Sequence, residues 1–184
     1  MLRLFVAVDL PASEQQAVAA LCTDVRGARW VKPHQLHITL RFMGQTPDED
    51  LPAIRQRLAL VEAPSFHLAL HDVGVFPAPA QKPRVLWLGL APPEPLVRLK
   101  REIDRALLPH PQEEKREFSP HLTLARLSGK PDESLSHFLA QHGNHRGPDW
   151  PVAGFRLYQS TLRSSGAVHE LLATYALPEI CRQQ

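Results

Sequence analysis

Cysteine is scarce in this 184-residue chain: Cys22 and Cys181 stand near opposite ends and form no C-x-x-C pair. A thiolate zinc site and a disulfide framework are therefore poor candidates for organising the fold. No stretch approaches the roughly 20 uninterrupted apolar residues that a membrane-spanning helix needs. The longest apolar runs, such as Val85 to Ala91, have strand length. Residues Met1 to Asp9 begin like a signal sequence, but they lack its length and cleavage site, and Asp9 interrupts them. They read as the first strand of a cytoplasmic protein. There is no Walker loop, no G-x-G-x-x-G and no G-x-S-x-G, so nucleoside triphosphate, dinucleotide and serine-hydrolase chemistries lack support. A large excess of charge is also missing. The formal net charge of +2 excludes a histone-like polycation but allows a local basic patch.

Apolar residues make up 43% and charged residues 22% of the chain, enough for one packed domain or two small lobes sharing a core. Of the 21 basic residues, 16 are arginine. Two readings of that lean stand side by side: a compositional bias toward Arg, Ala, Pro and Leu, or a chain equipped to grip phosphate. The 18 prolines fall in short loops, such as Phe76-Pro77-Ala78-Pro79 and Ala91-Pro92-Pro93, and not in one linker.

Patterning predicts strands over Arg3 to Leu10, Leu36 to Met43, Phe66 to Val75, Arg84 to Leu90, Phe118 to Leu127, Trp150 to Arg163 and Val168 to Ala176. A turn at Ser164-Ser165-Gly166 separates the last two. Helices are predicted from Pro11 to about Arg26 with Ser13 as N-cap, from Pro47 onward, over Glu94 to Leu108, and over Asp132 to His142. Leu51, Ile54, Leu58 and Val61 recur at helical spacing, as do Leu96, Leu99, Ile103 and Leu107. The expected class is α+β, or α/β with a mixed sheet. The halves echo each other. A strand carrying His37-Ile38-Thr39-Leu40 is matched, 84 positions later, by one carrying His121-Leu122-Thr123-Leu124. The expected result is a two-lobed domain with approximate internal two-fold symmetry.

Alternate residues of a strand share a face. His37 and Thr39 therefore point one way while Ile38 and Leu40 enter the apolar layer, and His121 and Thr123 do the same against Leu122 and Leu124. If the strands converge, two imidazoles and two hydroxyls meet. Such a set suits phosphodiester chemistry. A neutral imidazole takes a proton from the attacking oxygen and a charged one gives a proton to the leaving oxygen. The threonines can donate to non-bridging phosphate oxygens, and arginine can offset developing charge. The scheme requires no metal and no cofactor. By strict alternation Arg41 shares the face of His37, whereas Arg126 joins His121 only if its strand bulges or ends after Leu124. His67 and His71 are expected on a solvent face. His34, His110, His137 and His169 are expected at the surface or behind the site, with no zinc cluster. Trp30, Phe42, Phe76 and Tyr158 are candidate base-stacking platforms, with core packing the default for each.

These residues resemble the two-histidine phosphoesterase superfamily, and most of all its bacterial RNA 2',3'-cyclic phosphodiesterases, historically called 2'-5' RNA ligases. The likeness extends to Arg3-Leu4-Phe5-Val6-Ala7-Val8, Trp30-Val31-Lys32-Pro33, Phe76-Pro77, Pro83 to Gly89, Phe118-Ser119-Pro120 and Leu157-Tyr158-Gln159-Ser160, and so covers nearly the whole chain. His169 departs from the pattern, where that family is expected to favour tyrosine. The resemblance implies a single bilobal domain over residues 1–184. Two mixed or antiparallel sheets would line a central cleft, with helices outside. It implies metal-independent hydrolysis of an RNA-terminal 2',3'-cyclic phosphate to a 2'-phosphate. His37 would be the proton donor and His121 the proton acceptor, with Thr39, Thr123, Arg126 and Arg41 binding substrate. Microscopic reversibility extends the scheme to 2'-5' ligation. The expected partners are RNA ends, such as those of tRNA fragments, met by a monomer with no membrane attachment. The rival readings are a non-catalytic RNA-end binding protein and a metal-dependent hydrolase that uses the histidines as ligands.

Overall fold

The computed structural model describes residues 1–77, 82–108, 110, 118–163 and 166–179. Among the described residues nine strands form two sheets: β1 (Leu2–Asp9), β2 (Ala28–Trp30), β3 (His37–Thr46), β4 (Phe66–Phe76), β5 (Val85–Ala91), β6 (His121–Leu127), β7 (Arg146–Val152), β8 (Gly154–Arg163) and β9 (Gly166–Ala176). One sheet has the order β3-β1-β8-β9 and the other β2-β6-β5-β4-β7. Every pairing is antiparallel, so neither sheet is mixed. The helices are α1 (Ala12–Leu21), α2 (Leu51–Leu58), α3 (Glu94–Ala106) and α4 (Glu133–His142).

The internal repeat is carried by the topology. In each lobe a strand, a helix and a histidine-bearing strand occur in that order, β1-α1-β3 (with the short β2 before β3) and β5-α3-β6, and the two strands pair. Each sheet is apolar on the face its helices cover. Leu4, Val6, Val8, Ile38 and Leu40 are buried in one lobe, and Leu86, Leu88, Leu122 and Leu124 in the other, all within one contiguous cluster. The spacing of Leu96, Leu99, Ile103 and Leu107 does what it predicts, burying all four completely along α3 and its C-cap. Ile54 and Leu58 anchor α2 in the same way. A full apolar side chain removed from water contributes about 1.5–3 kcal/mol, so these stripes fix the helices to the outer faces and leave the inner faces free for polar residues.

Several boundaries differ from expectation. Helix α1 stops at Leu21 instead of Arg26, and Pro11, not Ser13, holds its N-cap position. The chain then turns through Gly27, at φ 74°, into β2, a strand too short for patterning to predict. The stretch read as one strand from Trp150 is divided at Ala153 between β7 and β8, which lie in different sheets. Asp132 caps α4 by accepting from the Ser134 amide at 3.0 Å. Ser164 and Ser165 of the expected turn, Ala78 and Pro79 of the proline-rich loop, and Cys181 lie outside the described residues.

Candidate active site

The two sheets meet along β3 and β6, the strands that carry the tetrapeptides. The lead-in to β3 is tied to β6 directly, with the Val31 amide donating to the Leu124 carbonyl at 2.8 Å. The helix-free faces thus form the two walls of one cleft. His37 and Thr39 stand on one wall, His121 and Thr123 on the other, and all four are partly exposed. Among the described residues neither threonine hydroxyl has a protein hydrogen-bond partner.

Both histidines are held in the same way. His37 Nδ1 lies 2.7 Å from the Gln35 carbonyl, and His121 Nδ1 lies 2.7 Å from the Ser119 carbonyl. A carbonyl only accepts, so Nδ1 carries the hydrogen in each ring and Nε2 is the nitrogen left for chemistry. The carbonyl comes from position i−2 in both cases, which makes the support part of the repeat.

A β-bulge decides where the arginines go. In the β1–β3 register Val6 faces Arg41 and Ala7 faces Thr39, which leaves Leu40 as the extra residue. In the β5–β6 register Leu86 faces Ala125 and Trp87 faces Thr123, which leaves Leu124 as the extra residue. The bulge occupies the same place in both repeats and reverses the alternation beyond it. Leu40 and Arg41 are both buried, as are Leu124 and Ala125. Phe42 and Arg126 then return to the inner face.

Arg126 is accordingly exposed beside Thr123. Arg41 is not, and its expected place in substrate binding is corrected. Only 5% of the residue is exposed. Its guanidinium donates to Asp104 Oδ1 at 3.0 Å and to the carbonyls of Leu107 and His110 at 3.2 and 2.6 Å. Lys100 donates to the other Asp104 oxygen at 2.5 Å. This network joins β3 to α3 on the helix side of the sheet.

Aromatic rings brace each catalytic candidate. On the β6 wall Phe76 meets His121 edge-on, with ring centroids 5.2 Å apart, and stacks on Trp87 at 5.0 Å. Gly74 makes room for that indole, because a Cβ there would overlap the six-membered ring of Trp87. On the β3 wall Phe5 packs against His37 at 4.9 Å, Tyr158 at 5.3 Å and Phe42 at 6.0 Å. Trp30 packs on Phe138 instead, half-buried at the edge of the core. Sequence reasoning gave Asp9 and Arg156 no role and left His169 between the surface and a place behind the site. Asp9 pairs in register with His37 and accepts from Arg156 and, at 2.6 Å, from the Tyr158 hydroxyl. His169 takes the second of its two expected places, its ring centroid 5.1 Å from that of His37. Asp9 ending the first apolar run was the available signal, since a carboxylate on an inner strand calls for partners.

The His37 pKa is lowered from 6.5 to about 4, mainly by burial, with the Gln35 carbonyl opposing it, the charge of His169 adding to it and Asp9 opposing it. Burial also lowers His169. Tyr158 is raised by burial, so its phenol remains protonated at neutral pH and donates to Asp9. The site offers two Nε2 atoms, two hydroxyls without protein partners among the described residues and an exposed guanidinium, a set of groups suited to a phosphate.

A sequence model of the 2'-5' RNA ligase superfamily matches residues 10–161. Among relatives, an RNA 2',3'-cyclic phosphodiesterase of Thermus thermophilus is 38% identical, the alignment covering 96% of this chain and 90% of that protein. One of Archaeoglobus fulgidus is 32% identical over 95% of this chain and 99% of its own. The crystal structure of a Thermus thermophilus protein superposes with a TM-score of 0.80 at 30% identity, covering 97% of this chain and 99% of that one. E. coli LigT complexed with 3'-AMP superposes with a TM-score of 0.77 at 28% identity, covering 96% and 98%.

Proposed function

Because the chain belongs to the 2'-5' RNA ligase superfamily, we propose that it is an RNA 2',3'-cyclic phosphodiesterase working by a two-histidine acid–base pair. The relatives of matching length carry that activity in their names. The observation that supports the mechanism is the duplicated carbonyl–imidazole–threonine unit on two strands that meet, each unit leaving Nε2 free.

The terminal cyclic phosphate lies between the two imidazoles. His121 Nε2 accepts a proton from water as the water oxygen bonds to phosphorus. The bond to the 3' oxygen breaks, and His37 gives that oxygen its proton, leaving a 2'-phosphate and a free 3' hydroxyl. Thr39 and Thr123 donate to the non-bridging oxygens, and Arg126 offsets charge as it grows. Each well-placed acid or base contributes about 10²–10⁴-fold. The chemistry calls for no metal or cofactor. His37 is neutral at pH 7 in the empty cleft, and the phosphodiester anion is the charge that draws a proton onto it.

That same neutrality favours a second assignment, in which His37 accepts and His121 donates. The activity is tested by incubating the protein with an oligonucleotide ending in a 2',3'-cyclic phosphate, with and without chelator. We expect a 2'-phosphate product at the same rate in both arms. Loss of turnover with chelator would indicate metal ligation. Tight binding without turnover would indicate a binding protein.

The full reading is a single bilobal domain over residues 1–184, acting as a monomer in the cytoplasm on RNA ends such as those of tRNA fragments. Ligation to a 2'-5' bond is the same displacement with a 5' hydroxyl in place of water: His121 takes the hydroxyl proton as that oxygen bonds to phosphorus, and the 3' oxygen leaves with the proton from His37. Among the described residues no helix is long and apolar enough to cross a membrane.

A further inference from the structure

Strands β3 and β9 are opposite edges of a four-stranded sheet. Three interstrand spacings of about 4.8 Å would separate them by roughly 14 Å in a flat sheet. Their side chains nevertheless touch. The His37 and His169 rings lie 5.1 Å apart at 77°, edge to face. Phe5 packs against both, 4.9 Å from each. A second contact ties β9 to the turn ahead of β3, in which the Gln35 side chain donates to the Ala167 carbonyl at 2.8 Å. Gln35 is also the residue whose own carbonyl holds His37 Nδ1. The sheet therefore curls into a half-barrel, and β9 reaches His37 by two routes: through the anchor of the residue that orients it, and through a ring laid against its face.

From this geometry we infer that His169 is a positioning residue for His37, and that the two rings together hold no more than one added proton. The inference rests on the reading of His37 as one of the acid–base pair. The charged and titratable groups facing His37 are few. Asp9 comes from β1 and is occupied by Arg156 and Tyr158 of β8. His169 comes from β9, and the turn ahead of β3 supplies only a neutral carbonyl. His121 faces the cleft from β6. Glu170, beside His169, is exposed on the other face. The only other imidazole in ring contact with His37 among the described residues is thus His169. Two like charges at that separation disfavour each other, and Asp9 is already engaged by a cation. His169 is neutral when a bound anion draws the proton onto His37, and its ring keeps the His37 Nε2 aimed at the leaving oxygen.

The test uses the intact protein, with histidine ring resonances followed by NMR as a function of pH. His169→Phe keeps a ring against Phe5 and His37 but cannot hold a proton. We expect the His37 midpoint to rise by about half a unit to one unit in this variant. A His37 midpoint unchanged within about 0.2 unit would overturn the shared-proton claim. His169→Gln removes the ring while keeping a polar side chain of similar reach. We expect kcat at the optimum to fall about tenfold with KM within a factor of about two. An unchanged kcat would overturn the positioning claim. The NMR titration needs no turnover, so a failure of the shared-proton claim is separable from a failure of the proposed activity.

Discussion

Replacing Arg41 with methionine should unfold this protein more readily and leave its substrate affinity alone. The perturbation keeps most of the aliphatic stem and removes the charged head. In the structure that head satisfies one Asp104 oxygen and the carbonyls of Leu107 and His110. The neighbouring ammonium of Lys100 still holds Asp104, and Asp104 is about one-third exposed, so the carboxylate is not stranded. The carbonyls are the larger loss, since a charge-assisted hydrogen bond contributes about 1.5–3 kcal/mol. With water reaching part of the site, the cost should be about 3–5 kcal/mol, the range for breaking a buried pair. For a chain of this size that corresponds to a fall in Tm of roughly 6–20 °C. Denaturant unfolding at pH 7 measures the first quantity and a thermal melt the second. Steady-state kinetics well below the new Tm should give a KM within a factor of about two. An unchanged unfolding midpoint together with a tenfold rise in KM would refute this reasoning and return Arg41 to the cleft.

Other outcomes follow from the same geometry. His37 is pushed from 6.5 to about 4 by burial, so the unfolded chain takes up its proton first as pH falls. That stability is fully present above about pH 6.5 and is lost as pH falls toward 4, by about 3 kcal/mol. Denaturant unfolding at pH 7.5 and 4.5 should show this loss reduced in His37→Gln; an equal loss in both proteins would contradict it. Arg126→Ala should raise KM for a cyclic-phosphate oligonucleotide about tenfold and flatten its salt dependence, without moving Tm, because the side chain is exposed. Thr39→Ala and Thr123→Ala should each lower kcat/KM by about tenfold, as expected for one hydrogen bond. A larger loss than in His121→Ala would mean that the threonines do more than bind oxygen.

The amphipathic helices were legible because burial follows spacing: Leu96, Leu99, Ile103 and Leu107 need no knowledge of the partner surface. The two tetrapeptides were legible because the repeat sets them in equal strands. Arg41 was misplaced because counting by twos assumes a regular strand, and the extra residue at Leu40 breaks the count. The repeat contained a signal for this. At the offset of 84, Arg41 corresponds to Ala125 and Phe42 to Arg126, and alanine is a residue of the interior. The division between β7 and β8 at Ala153 was hidden because both flanks read as strand. His169 was left between the surface and a place behind the site because its partner lies three strands away in sheet order, and only the curl of the sheet brings it to His37. Sequence patterns record which face a residue takes, but curvature depends on how whole sheets pack.

The central claim is that imidazoles on two walls act on one phosphorus, one taking a proton and the other giving one. It is tested most directly with a cyclic substrate whose 3' oxygen is replaced by sulfur, a leaving group that needs no proton. Single-turnover rates would be compared for His37→Ala and His121→Ala on the oxygen and sulfur substrates. The account predicts that sulfur restores His37→Ala to within about tenfold of the unsubstituted protein, since one general acid contributes about 10²–10⁴-fold, and leaves His121→Ala slow. Rescue of neither variant, or of both equally, would contradict the division of labour between the two histidines.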